Sequence, residues 1–174
     1  MNININGCNI TNCGGITIVN GRVVSGGGMF GNSQKFDEEK SLQANDINRI
    51  TIKCDSADIL VTTNDTDTIN AHFYGEAITS QKPTLSITKN GREAIVSLSI
   101  GGSITGRLTL SVAIPARTFE FLSASSYNGA IAIKDEVSAK EMALNAYNGG
   151  IISVVPVAVI LPMEEQNLTT VMSL

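Results

Sequence analysis

From Ile47 almost to the end of the chain, apolar and polar residues alternate with period two. That spacing places successive side chains on opposite faces of an extended strand. Ile50, Ile52 and Cys54 share one face, Asp55-Ser56-Ala57-Asp58 turns the chain, and Ile59 and Val61 resume the apolar face. A second turn, Asn64-Asp65-Thr66-Asp67, precedes Ile69, Ala71 and Phe73, which alternate with Asn70, His72 and Tyr74. Leu85 and Ile87 lead to Asn90-Gly91, a pair that tolerates the positive φ of a type I′ hairpin turn. Ala94, Val96, Leu98 and Ile100 form the return strand. Gly101, Gly102 and Gly106 flank a turn, and Leu108, Leu110, Val112 and Ile114 make the clearest strand, stopped by Pro115.

Upstream, residues 1–25 predict a small β-hairpin unit. Ile3 and Ile5 alternate with Asn, and Asn20-Gly21 separates ITIV from RVV. Residues 26–46 (GGGMFGNSQKFDEEKSLQAND) lose the alternation and read as a linker, with a short helical turn over 36–42. Residues 47–174 then make the main domain.

Within that domain Tyr-Asn-Gly occurs at 127–129 and again at 147–149, a spacing of 20. Phe119 and Phe121 precede the first copy, and Met142 and Leu144 the second. Ile131 and Ile133, then Ile151 and Ile152, follow them. Asp55 to Val61 reads as an earlier copy with Asp58 in the glycine position. Strand, tight turn, strand at a fixed period is the pattern of stacked β rungs. In such a stack Ile forms an inner ladder and Asn, Ser and Thr an outer one. The expected fold is all-β: a β-solenoid or β-helix-like stack with an N-terminal hairpin unit.

Composition agrees. Among 174 residues there are 21 Ile, 12 Val and 15 Thr, and Asn, Ser and Gly number 16 each. Charged residues are 16%, aromatics 5% and Trp is absent, which argues against a helical bundle or a large α/β enzyme. The net charge is −4, with the basic residues scattered. A nucleic-acid binder needs a concentrated basic face, so that class is excluded. Cys8, Cys13 and Cys54 are an odd set with no regular framework, and they read as small buried side chains in a reducing compartment. The N-terminal MNININGCNITNCGG has neither a basic region nor a long apolar core, so no secretory signal is read and the default location is cytoplasmic. The longest apolar run, residues 151–162, is too short for a membrane-spanning helix and contains Pro156.

Candidate chemistry is sparse. His72 is the single histidine, on the polar face of a strand, with no nucleophile elbow elsewhere. Asp55, Asp58, Asp65 and Asp67 fall within thirteen residues, and turn capping explains them without Ca²⁺. Asp135, Glu136 and Glu141 sit in KDEVSAKE, which reads as an exposed loop between rungs and not as a hydrolase carboxylate pair. Gly26 to Gly28 lacks the Lys-Ser/Thr of a phosphate loop. No catalytic residue, metal or cofactor is assigned. Tyr127 and Tyr147, at equivalent positions of successive rungs, would lie ~4.8 Å apart. Buried or half-buried they make a stacking ladder, the favoured reading; exposed they make a platform for a sugar or a partner protein.

Three stretches carry a family resemblance: INRITIKCDSADILVTTNDTDTI, the hairpin LSITKNGREAIVSLSI, and LTLSVAIPARTFEFLSASSYNGAIAIKDEVSAKEMALNAYNGGI. Over residues 47–153 the chain resembles the bacterial adhesin family of β-solenoid domains, in which a hydrophobic-Pro step leads into serine-rich rungs. Here those are Ile114-Pro115 and Ser125 to Ile133. The resemblance implies a solenoid fold, a cell-surface setting and no shared catalytic residues. Family members commonly carry an export signal, which is not seen here. The tail 154–174 loses the period and reads either as a cap or, with a slight preference, as a truncated or frame-shifted end of a longer solenoid.

The functional expectation is a non-enzymatic adhesin-like binding or scaffold module. The candidate binding residues are Tyr127, Asn128, Tyr147 and Asn148, and the candidate partners a glycan or a surface protein. A self-assembling structural protein, pairing as a homo-oligomer through strand edges or solenoid ends, is the alternative. A polysaccharide-active enzyme is the remote one.

Overall fold

A computed structural model describes backbone and side chains over residues 33–134 and 137–152. It describes backbone alone in the strands of residues 2–26 and at 153 and 168–173. The chain divides into two compact units, Met1–Ser33 and Gln34–Leu174. In the first, β1 (Asn2–Ile5), β2 (Cys8–Cys13), β3 (Ile16–Val19) and β4 (Arg22–Gly26) form a four-stranded antiparallel sheet in chain order. Val19 pairs with Arg22, so Asn20-Gly21 lies between those two strands. The side chains of Cys8 and Cys13 lie outside the described residues, as do Asp135, Glu136 and residues 154–167.

The second unit is all-β, with no helix among the described residues. Its strands are β5 (Gln34–Gln43), β6 (Arg49–Cys54), β7 (Asp58–Asn64), β8 (Thr68–Thr79), β9 (Thr84–Asn90), β10 (Glu93–Ser99), β11 (Ile104–Pro115), β12 (Thr118–Ser126), β13 (Ile131–Ile133), β14 (Ser138–Ala146), β15 (Ile151–Ser153) and β16 (Leu168–Ser173). They make two six-stranded sheets, β16-β14-β12-β6-β10-β9 and β15-β13-β7-β11-β8-β5.

Four strand–turn–strand units, β6–β7, β10–β11, β12–β13 and β14–β15, each start in the first sheet and cross into the second. Neighbouring units pair in parallel in both sheets. Leu122 lies opposite Met142 and Ile131 opposite Ile151, so the twenty-residue spacing is the pairing register. The earliest unit, β6–β7, sits inside the stack, between β12–β13 and β10–β11. On the far side, β8 and β9 run the opposite way and pair antiparallel with β11 and β10.

Period two fixes which side chains meet. Ala94, Ile50, Leu122 and Met142 form one inward row of the first sheet, and Val96, Ile52, Ala124 and Leu144 the next. Leu110, Ile59, Ile131 and Ile151 form the facing row of the second sheet. These rows join in one hydrophobic cluster with Phe73, Phe119, Leu85 and Ile114. Ser126 is the only buried polar residue among those described, and its hydroxyl donates to the Ala57 carbonyl at 3.0 Å. Burial of that kind is tolerated because the hydroxyl is satisfied.

Several expectations are corrected. Residues 34–43 are not linker and 36–42 are not helical. They form β5, paired with β8 from Gln34↔Ala77 to Gln43↔Thr68. Its inward positions are 36, 38, 40 and 42, of which only Phe36 and Leu42 are apolar, so the alternation is invisible in sequence. Phe36 packs on Phe73 at 5.7 Å between ring centroids. The Lys40 ammonium reaches the Leu85 carbonyl of β9 at 2.6 Å. Inward charge is compatible with β5 because it is an edge strand, where charge also discourages pairing with another chain. The boundary therefore falls at 33/34.

The second hairpin turns one residue later than Asn90-Gly91 suggests. Asn90 pairs with Glu93, leaving Gly91 and Arg92 as the central residues, with Gly91 at φ +60°. Gly106 is within β11, not in a turn. Phe121 points outward, because the alternation shifts between Phe119 and Leu122. Glu141 lies on β14, not in a loop.

Candidate functional site

The turn that joins the sheets repeats in three neighbouring units. Tyr127 N–H donates to Cys54 O at 3.2 Å and Tyr147 N–H to Ser126 O at 2.9 Å. One residue on, Asn128 N–H donates to Asp55 O and Asn148 N–H to Tyr127 O, at 3.0 and 2.8 Å. Parallel pairing therefore continues through the corners. Ser56, Asn128 and Asn148 stand in one column, and Asp55, Tyr127 and Tyr147 in another.

The first column is hydrogen-bonded along the stack, and the two tyrosines of the second are stacked. The Asn148 side-chain amide donates to Asn128 Oδ1 at 2.8 Å, and that of Asn128 donates to Ser56 Oγ at 3.1 Å. The Tyr127 and Tyr147 rings stack with centroids 4.7 Å apart and planes 9° apart. They are a ladder, yet 55% and 43% exposed, so the ladder is itself a surface feature. The choice between ladder and exposed platform resolves into an exposed ladder.

Glycines make this spacing possible. A Cβ on Gly129 would lie 2.1 Å from Ala57 O, and one on Gly149 would lie 2.1 Å from Gly129 O. Neither has a left-handed φ, so close approach between turns, not backbone conformation, selects glycine there. The earlier copy is aligned by this contact: Ala57, not Asp58, stands at the glycine position. Asp58 instead accepts from Ala130 N–H at 2.9 Å.

The remaining carboxylates are divided among separate turns. Asp55 Oδ2 accepts from Ile100 N–H and the Ser99 hydroxyl, at 3.0 and 3.1 Å. Asn64 caps its own turn, accepting from Thr66 N–H at 3.0 Å. Asp67 faces the Arg117 guanidinium at 3.3 Å. Among the described residues no three His, Cys, Asp or Glu side chains converge as a metal site would require.

Beside the tyrosines lies an open cavity of about 320 Å³, lined by Lys53, Asp55, Ser125, Asn145, Tyr127 and Tyr147 with the edges of Cys54 and Ser126. Lys53, Ser125 and Asn145 sit two residues before Asp55, Tyr127 and Tyr147, on the same outward face. Sequence reading singled out the tyrosines and missed this neighbouring row. The i−2 position on each repeat was the available signal. Cys54 points the other way, and burial pushes its thiol up to about 12, as suits an inert core residue.

On the other sheet, His72 lies beside two residues of β5. Its Nε2 is 2.8 Å from Asp37 Oδ1 and its Nδ1 3.9 Å from Glu39 Oε1, and its ring centroid lies 4.7 Å from that of Tyr74 with the planes tilted by 34°. It is half-buried and acid-flanked, because β5 pairs where a linker was expected.

The fold is thus all-β, with parallel strand–turn–strand units and outward polar columns. The Toastrack DUF4097 model matches residues 47–155, and the chain belongs to that family. No curated protein matches the chain. Among solved structures it is similar to a "putative cell adhesion protein" from Clostridium sporogenes, at 12% identity and TM-score 0.48, covering 69% of this chain and 59% of that one. It is also similar to a "putative adhesin" from Bacteroides fragilis, at 15% identity and TM-score 0.36, covering 69% and 56%. A third is a "putative lipid binding protein" from Parabacteroides distasonis, at 12% and 0.33, covering 56% and 41%. The chain spans less than two thirds of each of these proteins.

Proposed function

We propose that this protein is a non-enzymatic, adhesin-like binding module of the cell surface. Its main domain is read as a short β-solenoid of four parallel rungs closed by the reversed β8–β9 pair. The binding face is the corner column of Tyr127, Asn128, Tyr147 and Asn148. The observation that carries the reading is the Tyr127–Tyr147 stack, exposed to solvent yet flanked by the Asn128–Asn148 hydrogen bond along the stack. Large aromatic side chains held rigidly at a surface lose little entropy when a ligand binds. Asp55 and Asp58, beside the column, serve as acceptors for turn amides and a neighbouring hydroxyl.

The test is a glycan array probed with the wild-type chain and with Tyr127→Ala and Tyr147→Ala. Binding to a defined set of glycans, weakened about tenfold or more in each variant, is expected for contacts worth over 1.4 kcal/mol. Binding unchanged in both variants removes the tyrosine column from the function.

A further inference from the structure

The cavity beside the tyrosines holds one ammonium, that of Lys53, and one carboxylate, that of Asp55. It is a groove crossing β6, β12 and β14 on the outer face of the first sheet, with Tyr127, Tyr147 and Asp55 on one side and Lys53, Ser125 and Asn145 on the other. Two rows on one face of a strand are about 7 Å apart and three strands span about 10 Å, so the groove admits one or two sugar rings.

Aromatic rings carry negative charge on their faces and positive charge at their edges. The two tyrosines stack on each other at 4.7 Å, which covers the π faces they share. What they present in common is ring edges and phenol hydroxyls. Lys53 is exposed, and among the described residues its ammonium makes no hydrogen bond or ion pair. Asp55 is the one formal negative charge lining the groove, and its bonds from Ile100 N–H and the Ser99 hydroxyl draw it toward the β10 side of β6, away from β12 and β14. Ser125 and Asn145 add neutral polar groups.

From this arrangement we infer that the groove binds a carboxylate-bearing sugar, its acid group on Lys53 and its hydroxyls on Ser125, Asn145 and the tyrosine phenols. The inference rests on the binding-module reading and adds the ligand's charge class. A neutral sugar would gain no ion pair from the ammonium. A ligand cation would meet Lys53 and the positive ring edges.

The experiment is calorimetric titration of the whole chain with trigalacturonate and with its fully methyl-esterified form, at low and moderate salt. The acid form should bind at least tenfold more tightly, the difference should shrink as salt rises, and Lys53→Gln should reduce acid binding to the ester's level. Lys53 is exposed, so that substitution leaves folding intact, which circular dichroism checks. Equal binding of acid and ester, or unchanged acid binding by Lys53→Gln, overturns the charge inference while leaving the binding-module reading standing. Absence of binding to either form overturns the charge inference. The binding-module reading then falls as well only if the glycan array is also blank.

Discussion

Replacing Gly149 with alanine should destabilise the fold, whereas the same change at its neighbour Gly150 should not. A Cβ at 149 would lie 2.1 Å from Gly129 O and 2.5 Å from Gly129 C. Both are backbone atoms, so no rotamer change relieves the contact. The two turns must part by about 1.3 Å, the gap between 2.1 Å and an ordinary 3.4 Å contact. The bonds they share there are Tyr147 N–H to Ser126 O at 2.9 Å, Asn148 N–H to Tyr127 O at 2.8 Å, and the Asn148 amide to Asn128 at 2.8 Å. Stretching by that amount takes all three beyond hydrogen-bond range. At about 0.5–1.5 kcal/mol net for each bond, the loss is about 2–4 kcal/mol. The lower unfolded-state entropy of alanine offsets about 0.4–1 kcal/mol. A net loss of about 1–3.6 kcal/mol is expected, close to the range of overpacking substitutions. At Gly150 a Cβ meets nothing within 4 Å and φ is not left-handed. Gly150→Ala should therefore be neutral or stabilising by up to about 1 kcal/mol. Urea unfolding followed by circular dichroism reads both, with midpoints compared at constant slope. A Gly149→Ala midpoint equal to wild type, or an equal fall for Gly150→Ala, refutes close turn-on-turn packing as the reason for glycine.

Other expectations follow from the core and the titratable groups. Ile52→Ala, at a fully buried inward position between Val96 and Ala124, should cost about 2–5 kcal/mol in the same unfolding experiment. In a Cys8→Ser, Cys13→Ser background, Cys54 should resist a thiol reagent at pH 8 until the chain is unfolded, since burial holds its thiol up to about 12. Because folding favours the neutral thiol, stability should fall as pH rises above the unfolded cysteine value of about 8.5. Rapid labelling of the folded chain contradicts this. The Lys89 ammonium, bonded to both Asp46 oxygens at 2.6 and 2.7 Å, holds the Asp46 carboxyl below the ordinary aspartate range. Its contribution is present above the unfolded aspartate value and lost as pH falls through the lowered one. In Lys89→Met an NMR titration should find Asp46 back in the ordinary range, and an unchanged value would contradict the pairing.

The main domain's β character was legible because period-two alternation survives in the strands inside the two sheets, such as β6, β10 and β11. The repeat was legible because Tyr-Asn-Gly recurs at the spacing that sets the pairing of β12 with β14. The same sequence hid β5, whose inward positions alternate Phe36, Glu38, Lys40 and Leu42 at a sheet edge where charge is tolerated. It also hid the stacking order: no local signal shows that the earliest unit, β6–β7, lies in the middle. Residue type alone aligns Asp58 with the glycine, whereas the glycine position is defined by a backbone contact that Ala57 meets. Of the candidate site, the tyrosines were visible as a repeat. Lys53, Ser125 and Asn145 were not, because the three equivalent positions carry three different residue types and so form no recurring motif. The pairing of His72 with Asp37 was hidden for the same reason as β5.

The most direct measurement is amide chemical-shift mapping of the ¹⁵N-labelled chain during titration with the best-binding oligosaccharide of the array. Shifts should concentrate on Tyr127, Asn128, Tyr147 and Asn148 and on the adjoining Lys53, Ser125 and Asn145. Shifts concentrated instead around His72, Asp37 and Tyr74 on the other sheet would contradict the assignment of the tyrosine corner as the binding face.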